Sequence, residues 1–65
     1  MKIVIEVGCD NAAFDGCLFQ ELQRILNTVP EKVEAMFDRD VSANELRDID
    51  GNTVGSIRVL GKVKI

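Results

Sequence analysis

The middle of this 65-residue chain carries one apolar stripe at helical spacing, and the stripe limits the folds open to the sequence. Such spacing predicts a helix with a single buried face. Pro30 falls inside the stripe, where it removes the backbone bond to the carbonyl of Leu26. Two descriptions stay open: one kinked helix, or two short in-line helices with a capping box from Thr28 to Glu31. The members of the stripe are Phe14, Leu18, Leu22, Ile25, Val29, Val33 and Met36.

Strand patterns flank the stripe on both sides. Residues 1–7 alternate in polarity and predict a first strand, and residues 45–49 predict a second. The Asp-Gly-Asn turn at 50–52 predicts a hairpin that leads into a long last strand over 53–65, at an edge of the sheet. The sequence therefore predicts a single α+β domain over residues 1–65, a small β-α-β-β unit whose three-stranded sheet packs on one long helix.

One helix covers one face of such a sheet and leaves the other face open. The alternation places Val4, Val54 and Leu60 on that open face, together with Lys2, Arg58, Lys62 and Lys64. A chain of this length buries only about 60% of its unfolded surface, so covering an apolar face would stabilise it. We therefore expect a homo-oligomer.

Charge is unevenly divided along the chain although the net charge is only −3. Counting Lys and Arg against Asp and Glu gives −2 for residues 1–30, −4 for 31–50 and +3 for 51–65. The acidic segment is a candidate surface for a basic protein partner, and a solvated helix face and loop explain the same residues. The candidate contacts are Glu31, Glu34, Asp38, Asp40 and Glu45.

The basic charge lies on the last strand. Arg58, Lys62 and Lys64 alternate there and form a candidate site for an anionic small ligand such as a signalling nucleotide. Lysines that discourage edge-to-edge aggregation are the structural explanation of the same pattern. Nucleic-acid binding is not expected, because no aromatic side chain interleaves to stack bases and no glycine-rich phosphate loop follows a strand.

Residue types that carry chemistry are scarce. The chain has no His, so the commonest general base is absent and neither cysteine has an activating partner. We expect neither an enzyme nor a cofactor. Cys9 and Cys17 cannot complete a usual zinc site without further ligands. They are expected as buried thiols, with a Cys9–Cys17 disulfide as the alternative in an exported chain.

The loop that begins at Asp48 has oxygen side chains at the first, third and fifth positions of a calcium loop. Thr53 and Val59 occupy the positions where that loop needs Gly and a bidentate Glu. We therefore expect a hairpin turn and no metal site.

No apolar run approaches the roughly 20 residues that a membrane-spanning helix needs, and residues 1–7 lack the apolar core of a signal peptide. We expect a protein of the cytoplasm that does not bind membranes.

Two motifs carry a resemblance. One is Asp-Asn-Ala-Ala-Phe at 10–14, after the first strand, and the other is Leu-Arg-Asp-Ile-Asp-Gly-Asn-Thr-Val-Gly at 46–55. Together they resemble a family of short proteins encoded by bacteriophages and prophages. That resemblance implies an accessory protein that binds and blocks a component of the bacterial host, defence systems included. Structurally, Asp10 or Asn11 is expected to cap the helix, and Phe14 to anchor its first turn.

Three functions follow as hypotheses. The first is a non-enzymatic phage-derived protein that blocks a host protein through its acidic segment or an added edge strand. The second is a homo-oligomer that sequesters an anionic small ligand, and the third is a purely structural or assembly protein.

Overall fold

A computed structural model describes residues 1–61. Its three strands form an antiparallel sheet in the order β1-β3-β2, packed on one long helix, which confirms the predicted α+β architecture. None of the helices in this range is long and apolar enough to cross a membrane. The elements are β1 (Lys2–Val7), a 3-10 turn (Ala12–Phe14), α1 (Leu18–Asn27), α2 (Val29–Arg39), β2 (Ala43–Arg47) and β3 (Thr53–Leu60).

The helix is kinked between α1 and α2, at Thr28. The backbone of Thr28 stays right-handed helical, with φ −85° and ψ −12°, so the helix continues through the kink. Pro30 supplies no N–H to the carbonyl of Leu26, which accounts for the kink. The Thr28 hydroxyl donates to the Ile25 carbonyl at 2.7 Å and makes no capping bond. The kinked helix is therefore the correct description, and the capping box is wrong.

The core lies between this helix and one face of the sheet. Ile25 and Met36 come from the predicted stripe, and both are fully buried. Phe14 is buried as well, although it belongs to the 3-10 turn rather than to the helix. Asn11 precedes that turn without a side-chain capping bond, so the predicted cap is wrong there. The buried apolar residues are Phe14, Ile25, Met36, Leu46, Ile57 and Val59.

The last strand is central, which corrects its predicted place at the edge. Among the described residues β3 pairs with β1 on one side and β2 on the other. β2 begins and ends two residues earlier than predicted, because the backbone turns at Asp48. The predicted continuation of the last strand over 62–65 lies outside the described residues.

The open face, which is the sheet side turned away from the helix, carries Lys2, Val4, Arg58 and Leu60 as predicted. Val54 was expected there and packs against the core instead. The cause is a register shift between β2 and β3 at Leu46 and Arg47, which reverses the alternation of β3 before Gly55.

Two backbones approach each other closely at Gly55. A Cβ atom on Gly55 would lie 1.9 Å from the carbonyl oxygen of Glu6 on β1. Glycine is the residue that permits this approach.

Candidate functional site

Three of the five predicted acidic contacts share one surface. Glu31, Glu34 and Asp38 follow each other on α2 at spacings of three and four residues, which places them on one side of the helix. All three are exposed, and none of their carboxylates makes a hydrogen bond or an ion pair with another described residue. Met36, on the opposite side of α2, is fully buried. We call these three carboxylates the acidic face of α2.

The other two predicted acids lie elsewhere. Asp40 directly follows α2 and adopts the left-handed conformation, with φ 55°. Glu45 lies on β2 and projects to the open face, because its neighbours Asn44 and Leu46 share the register of the helix-facing residues. Its carboxylate accepts from the Arg47 guanidinium at 2.8 Å. The structure therefore does not combine Glu45 with the acidic face of α2.

Only one of the predicted basic contacts is described. Arg58 projects to the open face, where its guanidinium donates to the Glu6 carboxylate at 3.2 Å. Lys62 and Lys64 lie outside the described residues. Within residues 1–61 the anionic-ligand hypothesis thus keeps one of its three predicted contacts, and that side chain already has a counter-ion.

The hairpin between β2 and β3 is organised by the buried carboxylate of Asp48, which is only 4% exposed. One carboxylate oxygen accepts from the backbone N–H groups of Asp50 and Asn52, at 2.9 and 2.8 Å. The other accepts from the side-chain amides of Asn11 and Asn52, at 2.6 and 3.2 Å. Gly51 supplies a positive φ of 85°. The predicted turn at 50–52 is confirmed, and Asp48, which precedes it, holds the loop closed instead of facing solvent.

The pKa of Asp48 reflects this environment. Burial raises the pKa, but the bonds from Asn52 and Asp50 and the positive charge of Arg24 outweigh burial, so the pKa lies below its ordinary value of 3.8. Asp48 is therefore ionised at neutral pH, where it acts as an acceptor within the fold.

Glu21 is a second buried carboxylate, only 5% exposed, which the sequence patterns did not predict. It pairs with Arg24 on the next turn of α1 and accepts from the Ile49 N–H at 3.3 Å. Arg24 also donates to the Arg47 carbonyl at 3.2 Å. A signal was present, because Glu21 lies one helical turn before buried Ile25. Glu21 therefore fastens the hairpin to α1, whereas Asp48 fastens it to Asn11, ahead of the 3-10 turn.

A shallow cleft of about 260 Å³ opens at the start of α1, lined by residues 16–20. Phe19, which lines the cleft, is 80% exposed, and the sequence patterns did not predict this. An aromatic side chain so exposed is suited to contact with another molecule.

Within residues 1–61 the cysteines and the acidic residues form neither a disulfide nor a metal-binding cluster. Cys9 and Cys17 are free and half-buried, and their sulfur atoms contact the carbonyls of Val7 and Ala13. No group of three metal-ligating side chains lies together in this range. No known protein family, curated protein or solved structure matches the chain.

Proposed function

We propose that this chain is a non-enzymatic binding protein that occupies a basic surface of another protein through the acidic face of α2. The observation that carries the proposal is the set of three exposed carboxylates at Glu31, Glu34 and Asp38, with no counter-ion among the described residues. Because the opposite side of α2 is anchored in the core by Met36, the carboxylates are held on a rigid support. A basic partner would meet them already arranged.

Charge repulsion within the acidic face disfavours the isolated helix, although Glu31 in the first turn of α2 is itself favoured by the helix dipole. Like charges three and four residues apart destabilise a helix by about 0.2–0.5 kcal/mol per pair. Asp38 adds to this cost because it lies in the last turn of α2, near the negative end of the helix dipole. A cationic partner surface would relieve both effects, and electrostatic attraction of this kind mainly speeds association and selects partners.

The resemblance of residues 10–14 and 46–55 to short phage and prophage proteins supports the wider setting of the proposal. On that basis we propose a phage-derived accessory protein that acts in the bacterial cytoplasm. Its partner would be a host protein, such as a component of a defence system, and binding would block that component.

Charge reversal tests the proposal. The triple variant Glu31→Lys, Glu34→Lys, Asp38→Lys changes the net charge from −3 to +3. We expect it to lose a host protein that the wild type captures from bacterial lysate, as measured by affinity capture and mass spectrometry. Binding of the purified pair should also weaken as ionic strength rises.

A matched control carries the same charge change elsewhere. Asp10, Asp15 and Asp50 have exposed side chains away from α2, so their replacement by Lys also gives a net charge of +3. We expect this control to retain capture. Equal capture by both triple variants, or equal loss from both, would contradict a role for the acidic face.

A further inference from the structure

β1 forms an edge of the sheet whose outer backbone groups have no partner among the described residues. The Gly8 N–H donates to the Val54 carbonyl at 2.7 Å, so the even-numbered residues of β1 are those bonded to β3. The N–H and C=O groups of Ile3 and Ile5 therefore point away from the sheet. Such an edge is a template for another strand.

The opposite edge is closed by side chains. Lys32 on α2 donates to the Glu45 carbonyl at 2.8 Å, and Arg24 on α1 donates to the Arg47 carbonyl at 3.2 Å. The Glu45 N–H donates to the side-chain oxygen of Asn44 at 2.8 Å. Of the two edges, β1 is the one open to pairing.

The helix is held toward β2 by these contacts, which leaves β1 poorly covered. Ile3 and Ile5 lie on the helix side of the sheet, opposite Val59 and Ile57, yet they are 42% and 39% exposed. By comparison, Ile57 on the central strand is fully buried. The edge strand thus combines unpaired backbone with uncovered apolar side chains.

The sequence of β1 is complementary to itself in one antiparallel register. If Ile3 faces Ile5 of a second copy, Val4 lies on the twofold axis. Lys2 then faces Glu6 of the second copy on the open face. This register also pairs odd residues with odd residues, which are those with outward backbone groups. Charge, apolar surface and hydrogen-bonding direction all agree on it.

We propose that two copies of this chain pair through their β1 strands in this register and form one continuous antiparallel six-stranded sheet. The isoleucines of both copies then make a single apolar cluster on the helix side. Each copy also brings exposed apolar residues from the side of α1 turned away from Arg24, namely Leu18, Phe19 and Leu26.

The available area suits a second copy as the occupant. With about 200 Å² for a large side chain, the exposed parts of Ile3, Ile5, Leu18, Phe19 and Leu26 amount to about 500 Å² per copy. A stable interface buries about 800 Å² per partner, somewhat more than half of it apolar. The acidic face of α2 lies outside this surface. The apolar surface is a permanent part of the folded chain, so its partner should be present wherever the chain is made. A second copy meets that condition.

Sedimentation or light scattering over a range of concentrations tests the assembly, and we expect a dimer. In the dimer, Lys2→Glu puts two negative charges opposite each other at both ends of the paired β1 strands. We expect this change to raise the dimer dissociation constant about tenfold. The swap of both residues, Lys2→Glu with Glu6→Lys, restores complementarity between copies. We expect its constant within about threefold of the wild type, because the lost Glu6–Arg58 pair is exposed and contributes little.

A covalent test fixes the register. Val4→Cys brings two introduced thiols together across the twofold axis, in a non-hydrogen-bonded pair with Cα atoms about 4.5 Å apart, within the range that a disulfide bridges. We expect oxidation to link the copies at position 4, as identified by peptide mapping. Ser56→Cys is the matched control: it shares the open face but lies on the central strand, and it should not link.

Circular dichroism first establishes that each variant is folded. A wild type that stays monomeric at every concentration would overturn the proposal. So would a dimer that Lys2→Glu does not weaken and Val4→Cys does not link, because that dimer would use another surface.

Discussion

The two edges of the sheet differ in what meets their outward backbone groups. At β2, side chains from both halves of the helix and from the strand itself occupy those groups, through Lys32, Arg24 and Asn44. At β1, no described group does so for Ile3 or Ile5. The same helix that closes one edge is thereby drawn away from the other. Because this one helix does not cover all three strands, β1 is left available for association.

The difference extends to the residues beneath the helix. Leu46 on β2 is fully buried, whereas Ile3 on β1 keeps a large part of its side chain exposed. One edge is therefore part of the core, while the other becomes so only when a partner covers it.

The largest effect should come from truncating the buried edge. Leu46→Ala leaves a cavity in the core, and we expect it to lower the free energy of unfolding by about 2–5 kcal/mol in urea denaturation. Ile3→Ala should cost about 1 kcal/mol at low protein concentration, because less area is lost from the core. At high concentration the cost of Ile3→Ala should rise, while that of Leu46→Ala stays constant. Equal costs at both positions would remove the distinction between the edges.

An intermediate effect should follow acidification, through Asp48, the residue that follows β2. The pKa of Asp48 is lower in the folded chain than its ordinary value, so its ionised form stabilises the fold above that value. This contribution is lost as pH falls through the folded pKa. We expect the urea midpoint of the wild type to fall between about pH 5 and pH 2.

Asp48→Asn should be less stable than the wild type at neutral pH and should show a shallower decline in acid. Asp50→Asn is the matched control, because the side chain of Asp50 is exposed and its N–H bond to Asp48 remains. If Asp48→Asn and the wild type declined in parallel, the contribution of the buried carboxylate would be refuted.

The smallest effect on stability should come from opening the closed edge. Lys32→Ala removes one hydrogen bond to the Glu45 carbonyl, and we expect a loss of about 1 kcal/mol. The exposed edge should increase the formation of larger aggregates, as measured by light scattering. Arg39→Ala removes the same charge without freeing a β2 carbonyl, so it should not aggregate. Matching behaviour of the two variants would indicate a charge effect instead.

Local patterns predicted the main elements of this fold, although β2 was placed two residues too late and Phe14 was assigned to the helix instead of the 3-10 turn. The alternation of residues 1–7 predicted β1, the spacing of the apolar stripe predicted the buried positions of Ile25 and Met36, and the Asp-Gly turn predicted the hairpin. Each of these depends on neighbours within a few residues, so the sequence carries the information directly.

Features that depend on distant contacts were not predicted. In the sequence Glu21 resembles a surface residue, but in the fold its carboxylate accepts from the Ile49 N–H. Asn11 resembles a helix cap, but its side-chain amide donates to Asp48 instead. The central place of β3 likewise depends on both of its neighbours pairing with it. The helical spacing of the acidic face is visible in the sequence. That Glu45 lies apart from it follows only from the position of β2 in the sheet. Strand order and the burial of charge are properties of the assembled chain.

The close approach at Gly55 has a consequence for how freely the sequence can vary. Any side chain there would displace the Glu6 carbonyl and with it the hydrogen-bonded end of β1. Gly16 and Gly51 have positive φ values but open space around them, so Asn or Asp is a plausible replacement at either. In a library of all single substitutions, position 55 should be the glycine of these three that selection for folding keeps invariant. Positions 16 and 51 should retain small polar residues.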